Sequence, residues 1–145
     1  MKYKLEITID KSLTEVWKVF DSSENLKKWQ PTLKAIEHVS GTPGQSGAVS
    51  SRTYVESGQE FELTERVILR EEPSRFYAAY ENKFTDNIDK NTFTEQGLNK
   101  TLWVLESEYK FKTTTMKIVG TLKKKNFMER TRKDMENFKE FVEDL

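Results

Sequence analysis

The feature that most restricts what this chain can fold into is the contrast between its last twenty residues, Asn126 to Leu145, and everything before them. In that stretch Phe127, Thr131, Met135, Phe138, Phe141, Val142 and Leu145 recur at spacings of three and four. Such spacing puts them on one stripe of an α-helix, with charged residues opposite. Asn126 followed by Glu129 reads as an N-cap and capping-box pair. Lys123, Lys124 and Lys125, however, stand where the helix dipole disfavours cations, so a start before Asn126 fits as well. A stripe of large apolar side chains must cover something, and most of the preceding chain alternates with the period of a strand. The predicted architecture is a long helix laid across a curved antiparallel sheet.

Tyr3, Leu5, Ile7 and Ile9 alternate with Lys4, Glu6, Thr8 and Asp10 in the first strand. Ser12, with Glu15 at the capping-box position, starts a helix whose stripe is Val16, Trp17 and Phe20. A second short helix follows Ser22 or Ser23, turns Leu26 and Trp29 inward, and stops before Pro31, because a residue preceding proline avoids the α region. Leu33, Ala35, Glu37 and Val39 share a face of the next strand, which ends in a glycine-rich loop over 41–47. Ala48 to Glu56, Phe61 to Leu69 and Phe76 to Asn82 follow as strands, with turns at Ser57-Gly58 and Glu72-Pro73-Ser74. Asp86 to Asn91 has the composition of a hairpin tip, with Thr92 to Glu95 as the return strand. Thr101 to Lys112 closes the sheet, with Trp103, Leu105, Ser107, Tyr109 and Phe111 on one face, and brings the count to seven strands. Residues 113–125 stay open: Met116, Val119 and Leu122 have helical spacing, whereas three consecutive threonines and Gly120 oppose a long helix.

At 145 residues the chain has the length of one domain, and no stretch of it reads as a linker. Only 35% of it is hydrophobic, so nine Phe, five Tyr and three Trp must carry much of the burial. Twenty-four basic residues balance twenty-four acidic ones, which removes the electrostatic support a nucleic-acid partner would need. The absence of cysteine excludes disulfides, thiolate metal sites and a cysteine nucleophile. No run approaches membrane-spanning length and the first ten residues alternate instead of forming a signal sequence, so no membrane insertion and a cytoplasmic location are expected.

The element order of a strand, a short helix pair, six antiparallel strands and a long helix resembles the helix-grip fold, an α+β architecture. The resemblance is carried by Glu15-Val16-Trp17-Lys18-Val19-Phe20-Asp21, by Leu26, Lys28-Trp29 and Pro31, by Gly47 opening a strand and by Glu72-Pro73 at a strand turn. These are similar to the START-like superfamily, also called SRPBCC or Bet v 1-like, and within it to the polyketide cyclase/dehydrase group. The resemblance implies a deep, largely apolar cavity between sheet and helix that holds a small hydrophobic molecule such as a lipid or polyketide. It also leaves open a polyketide cyclase or dehydratase, and a protein-docking domain like the Hsp90 activators.

Wall candidates for that cavity are Phe61, Leu63 and Val67 in the middle of the sheet, with Phe76, Ala78 and Tyr80 on the neighbouring strand. Trp103, Leu105, Tyr109 and Phe111 come from the last strand, and Met135 and Phe138 from the helix. Each serves equally as plain core packing. Among polar residues, Glu65 shares a face with Phe61, Leu63 and Val67; buried there it suits general acid or base work, and at the rim it would pair with Arg66 or Arg52. Glu65 and Tyr109 are the candidate catalytic pair. Arg52 with Tyr54, and Tyr80 with Asn82, share faces and either orient a ligand oxygen or serve as surface cross-strand partners. His38, the only histidine, is placed outward, opposite to Val39. Asp86 and Asp89 come without the glycine or the twelfth-position glutamate of a calcium loop, and neither a metal nor a cofactor is expected.

Overall fold

The computed structural model describes residues 1–145. It contains β1 (Lys2–Ile9), α1 (Leu13–Phe20), a 3-10 turn (Ser23–Asn25), α2 (Leu26–Trp29), β2 (Leu33–Ser40), β3 (Val49–Glu56) and β4 (Gln59–Glu71). Then follow β5 (Arg75–Glu81), β6 (Thr85–Gly97), β7 (Lys100–Phe111), α3 (Thr114–Leu122) and α4 (Lys124–Glu143). The seven strands form one antiparallel sheet in the order β1-β7-β6-β5-β4-β3-β2, so the chain's first strand pairs with its last and the rest is a meander. The helix-grip α+β fold is therefore present: α4 packs on β1 and α2 and crosses the concave face of the sheet.

Local chemistry explains several of these boundaries. Ser12 Oγ accepts from the Glu15 amide while Glu15 reaches back to the Ser12 amide, a complete capping box at the start of α1. The β3–β4 hairpin turns through Ser57 and Gly58, both at positive φ (51° and 76°), the conformation that two-residue hairpin loops require. Thr113 accepts from the Met116 amide and starts α3. Residues 114–122 are therefore helical, because a capping threonine offsets the weak propensities behind it. Gly120 lies against the ring of Phe111, where any Cβ would collide, so the glycine is there for close packing of α3 on β7.

Four expectations need correction. The long helix begins at Lys124 and Asn126 does not cap it: α3 runs into α4 through the single residue Lys123, so the break at Lys123 sets the start. Asp86 to Asn91 is the interior of β6, and the hairpin tip sits earlier, at 82–84. There Asn82 Oδ1 accepts from the amides of Phe84 and Thr85, both at 2.8 Å. In β2 a bulge between Leu33 and Ala35 shifts the alternation, so Leu33 and Ile36 point inward while Ala35, Glu37 and Val39 are exposed. The same shift turns His38 towards the rim of the cavity, on the face of Ile36.

The core is built from aromatic rings. Phe20 sits edge-on to Phe76, Phe93, Trp103 and Phe138 at centroid distances of 5.7, 4.9, 5.7 and 6.0 Å. It also stacks on Trp29. These contacts tie α1, α2, β5, β6, β7 and α4 together at one end of the sheet. At the other end sheet and helix diverge.

Candidate functional site

The divergence leaves a cavity of about 310 Å³. Its sheet side carries Phe61, Leu63, Glu65, Val67, Phe76, Tyr80, Trp103, Leu105 and Tyr109, and Met135 reaches it from α4. Three of the expected wall residues lie elsewhere. Ala78 is fully covered within the sheet, Phe138 is consumed by the aromatic cluster, and Phe111 packs on Phe127 and Gly120 under α3. Three further residues supply wall that the strand pattern alone does not indicate: Phe20 and Trp29 at the aromatic end, and Ile36 across the bulge.

A polar band crosses the floor of the cavity. Arg52 and Glu65 are 8% and 6% exposed and pair at 2.5 Å, and the Tyr80 hydroxyl donates to the same Glu65 oxygen at 2.7 Å. Arg52 thus lies on the inner face and is not a surface partner. Burial, the largest single influence, would lower its pKa, but Glu65, Tyr80 and Tyr54 together outweigh that and raise it. Glu65 is deep in the wall, not at the rim, and its charge is compensated there. Tyr54 faces the cavity as well, stacked on Phe61 and donating to Gln30 Oε1 at 3.0 Å. Asn82 takes no part in the site, since it caps the β5–β6 turn.

The second half of the band comes from β6, where Asn87, Asp89 and Asn91 alternate inward while Ile88 is 40% exposed. Asn91 accepts from Trp103 Nε1 at 2.9 Å and donates to the Phe76 carbonyl. Asp89 Oδ1 accepts from Ser107 Oγ at 2.6 Å and from Asn87 Nδ2 at 3.1 Å. Burial raises the Asp89 pKa from its ordinary value despite those two hydrogen bonds, with Glu65 adding to the rise. Burial likewise holds the Tyr80 and Tyr109 hydroxyls well above their ordinary value. Sequence reasoning missed this row because its inward positions are polar, so no apolar stripe marks the buried face. The period of two from Asn87 to Asn91 was the available signal.

On the helix side Arg130 bonds Glu56 at 3.1 Å, a bridge from α4 to the end of β3. Asp134, one turn further along, lines the cavity without an ion-pair partner. Burial lifts its pKa to about 7 against the pull of Arg130, and Glu56 pushes the same way as burial. The unfolded value is about 3.9, so between these limits the folded state binds more protons, and stability falls as pH rises from about 4 to about 7. Asp134→Asn removes this loss. The variant should unfold at higher temperature than the parent at pH 8, by on the order of 2 kcal/mol given partial water contact, with the gap closing towards pH 4. Thermal melts at the two pH values check this, and an equal gap at both would overturn it.

Seven antiparallel strands gripped around a long helix, with a partly polar cavity between them, define a helix-grip domain. The family model described as polyketide cyclase / dehydrase and lipid transport matches residues 1–143, and the chain belongs to that family, within the START-like superfamily. Solved structures agree on the fold. The chain is similar to Ara h 8.0201 at 15% identity and a TM-score of 0.77, covering 98% of this chain and 97% of that one. It is similar to norcoclaurine synthase from Thalictrum flavum, solved with dopamine and hydroxybenzaldehyde, at 16% identity and 0.73, covering 98% and 86%. It is also similar to protein CV1439 from Chromobacterium violaceum at 13% identity and 0.77, covering 99% and 98%. No curated protein matches the sequence. No helix is long and apolar enough to cross a membrane.

Proposed function

We propose that this protein binds a small, largely apolar molecule in the cavity between its sheet and α4. The observation that carries this reading is a space of about 310 Å³ bounded by aromatic and aliphatic side chains, within the range of small-molecule sites. Phe61, Leu63, Val67, Phe76, Trp103, Leu105 and Met135 would contact the apolar body. Native mass spectrometry of the purified protein tests this. A reproducible non-covalent added mass, lost on extraction with organic solvent, is the expected result. A protein that carries no passenger and takes up none from a panel of naphthalene and fatty-acyl probes would overturn it.

A second reading is a polyketide cyclase-type enzyme that moves protons inside the cavity. Asp89 favours it, as a buried carboxyl with raised pKa on the same face as the Tyr109 hydroxyl. In that reading Asp89 takes the role expected of Glu65, because Glu65 is already engaged by Arg52 and Tyr80.

A further inference from the structure

The charge balance of the cavity wall narrows what can enter it, provided that the cavity is the binding site proposed above. Five carboxyl groups line the space, from Asp21, Glu56, Glu65, Asp89 and Asp134, against the guanidinium groups of Arg52 and Arg130. Three of the five are paired: Glu65 with Arg52, Glu56 with Arg130, and Asp21 with Arg70, which lies outside the wall. Asp89 on the sheet and Asp134 on α4 form no ion pair, and no lysine lines the space.

Asp89 is the better defined of the two. Its Oδ1 is held by Ser107 and Asn87, while its Oδ2 has no protein partner and is not sealed from the void. Arg52, Glu65, Tyr80 and Tyr109 are the charged and titratable groups around it. Phe76, Tyr80, Trp103 and Tyr109 line the same face, and aromatic faces attract cations. A desolvated carboxyl without a basic partner is neutralised by a proton or by a bound cation. The unpaired donors in the wall, Arg52 Nε and Trp29 Nε1, are each covered to below 1 Å², so they do not select a ligand from the void.

We propose that the cavity takes an amphipathic organic amine, its ammonium group seated against Asp89 Oδ2 and its apolar body among the aromatic side chains. An anionic head group, such as a fatty carboxylate, finds both wall arginines engaged and meets two further acids.

Equilibrium dialysis of the intact protein at neutral pH with naphthylethylamine, naphthylethanol and naphthylacetate tests this, since the three probes share one ring system and differ in head group. The amine should bind about tenfold tighter than the alcohol, and the acetate most weakly. In Asp89→Asn the amine should fall to the affinity of the alcohol, and a cooperative thermal melt followed by circular dichroism shows that the variant is folded. A wild-type ranking in which the alcohol equals the amine, or the acetate leads, overturns the amine assignment while leaving the apolar cavity as a binding site. A tenfold amine preference that survives Asp89→Asn overturns the seat. Failure of all three probes to bind overturns this inference, and the proposed function falls with it only if the protein also carries no passenger and takes up no fatty-acyl probe.

Discussion

Phe138→Asp should abolish the folded state at 25 °C. Phe138 is 0% exposed and lies edge-on to Trp29 at 5.1 Å and to Trp103 at 5.2 Å, where the long helix meets both the sheet and α2. Removing such a ring from a core costs about 3–5 kcal/mol through lost burial and the cavity left behind. Putting an unpaired carboxylate in its place adds several more, because no basic group reaches that point. The sum is comparable to the roughly 5–15 kcal/mol that holds a domain together. Phe138→Leu, which keeps the site apolar, should instead melt cooperatively at a lower temperature. Far- and near-ultraviolet circular dichroism with thermal melts separates the two variants. A Phe138→Asp protein melting within a few degrees of the parent would mean that the helix is not gripped at this point.

The C-terminal stripe and the alternation of β1, β4 and β7 report burial directly, since water drives apolar side chains to one face whatever their neighbours do. Met135, Phe138 and Val142 accordingly lie in the core with Tyr3, Leu5, Trp103 and Leu105. The floor of the cavity obeys a different rule. Asn87, Asp89 and Asn91 point inward because hydrogen bonds from Ser107, to Phe76 and from Trp103 satisfy them, and those partners are remote in sequence. Composition alone makes Asp86 to Asn91 a turn. The bulge in β2 is equally silent in the sequence, yet it decides that Ile36 reaches the cavity and Val39 does not. Phe111 faces the correct side but is covered by α3, whose glycine at 120 exists to admit its ring. A strand pattern states which face a residue takes; what covers that face depends on an element elsewhere in the chain.

Arg52→Met should destabilise the protein by about 3–5 kcal/mol, far more than loss of an exposed ion pair, because it strands Glu65 in the wall without its counter-charge. Tyr80 would still donate to the carboxylate, but a single neutral hydrogen bond does not replace a guanidinium at 2.5 Å. Lys34–Glu60, with side chains 58% and 54% exposed, gives the contrast, and Lys34→Met should cost at most about 1 kcal/mol. The double variant Arg52→Met with Glu65→Leu removes both charges and should recover most of the stability, since well-packed apolar replacements of a buried pair are often neutral. Urea unfolding of the two single variants and the double variant gives the coupling energy. If Arg52→Met loses less than about 1 kcal/mol, water or a bound cation reaches Glu65 and the pair is not buried in any energetic sense. If the double variant is as stable as the parent but no longer takes up the ligand, the pair is kept for recognition. Stability and binding would then be separate properties of one salt bridge, and the polar band across an otherwise aromatic cavity would be explained by what the cavity holds.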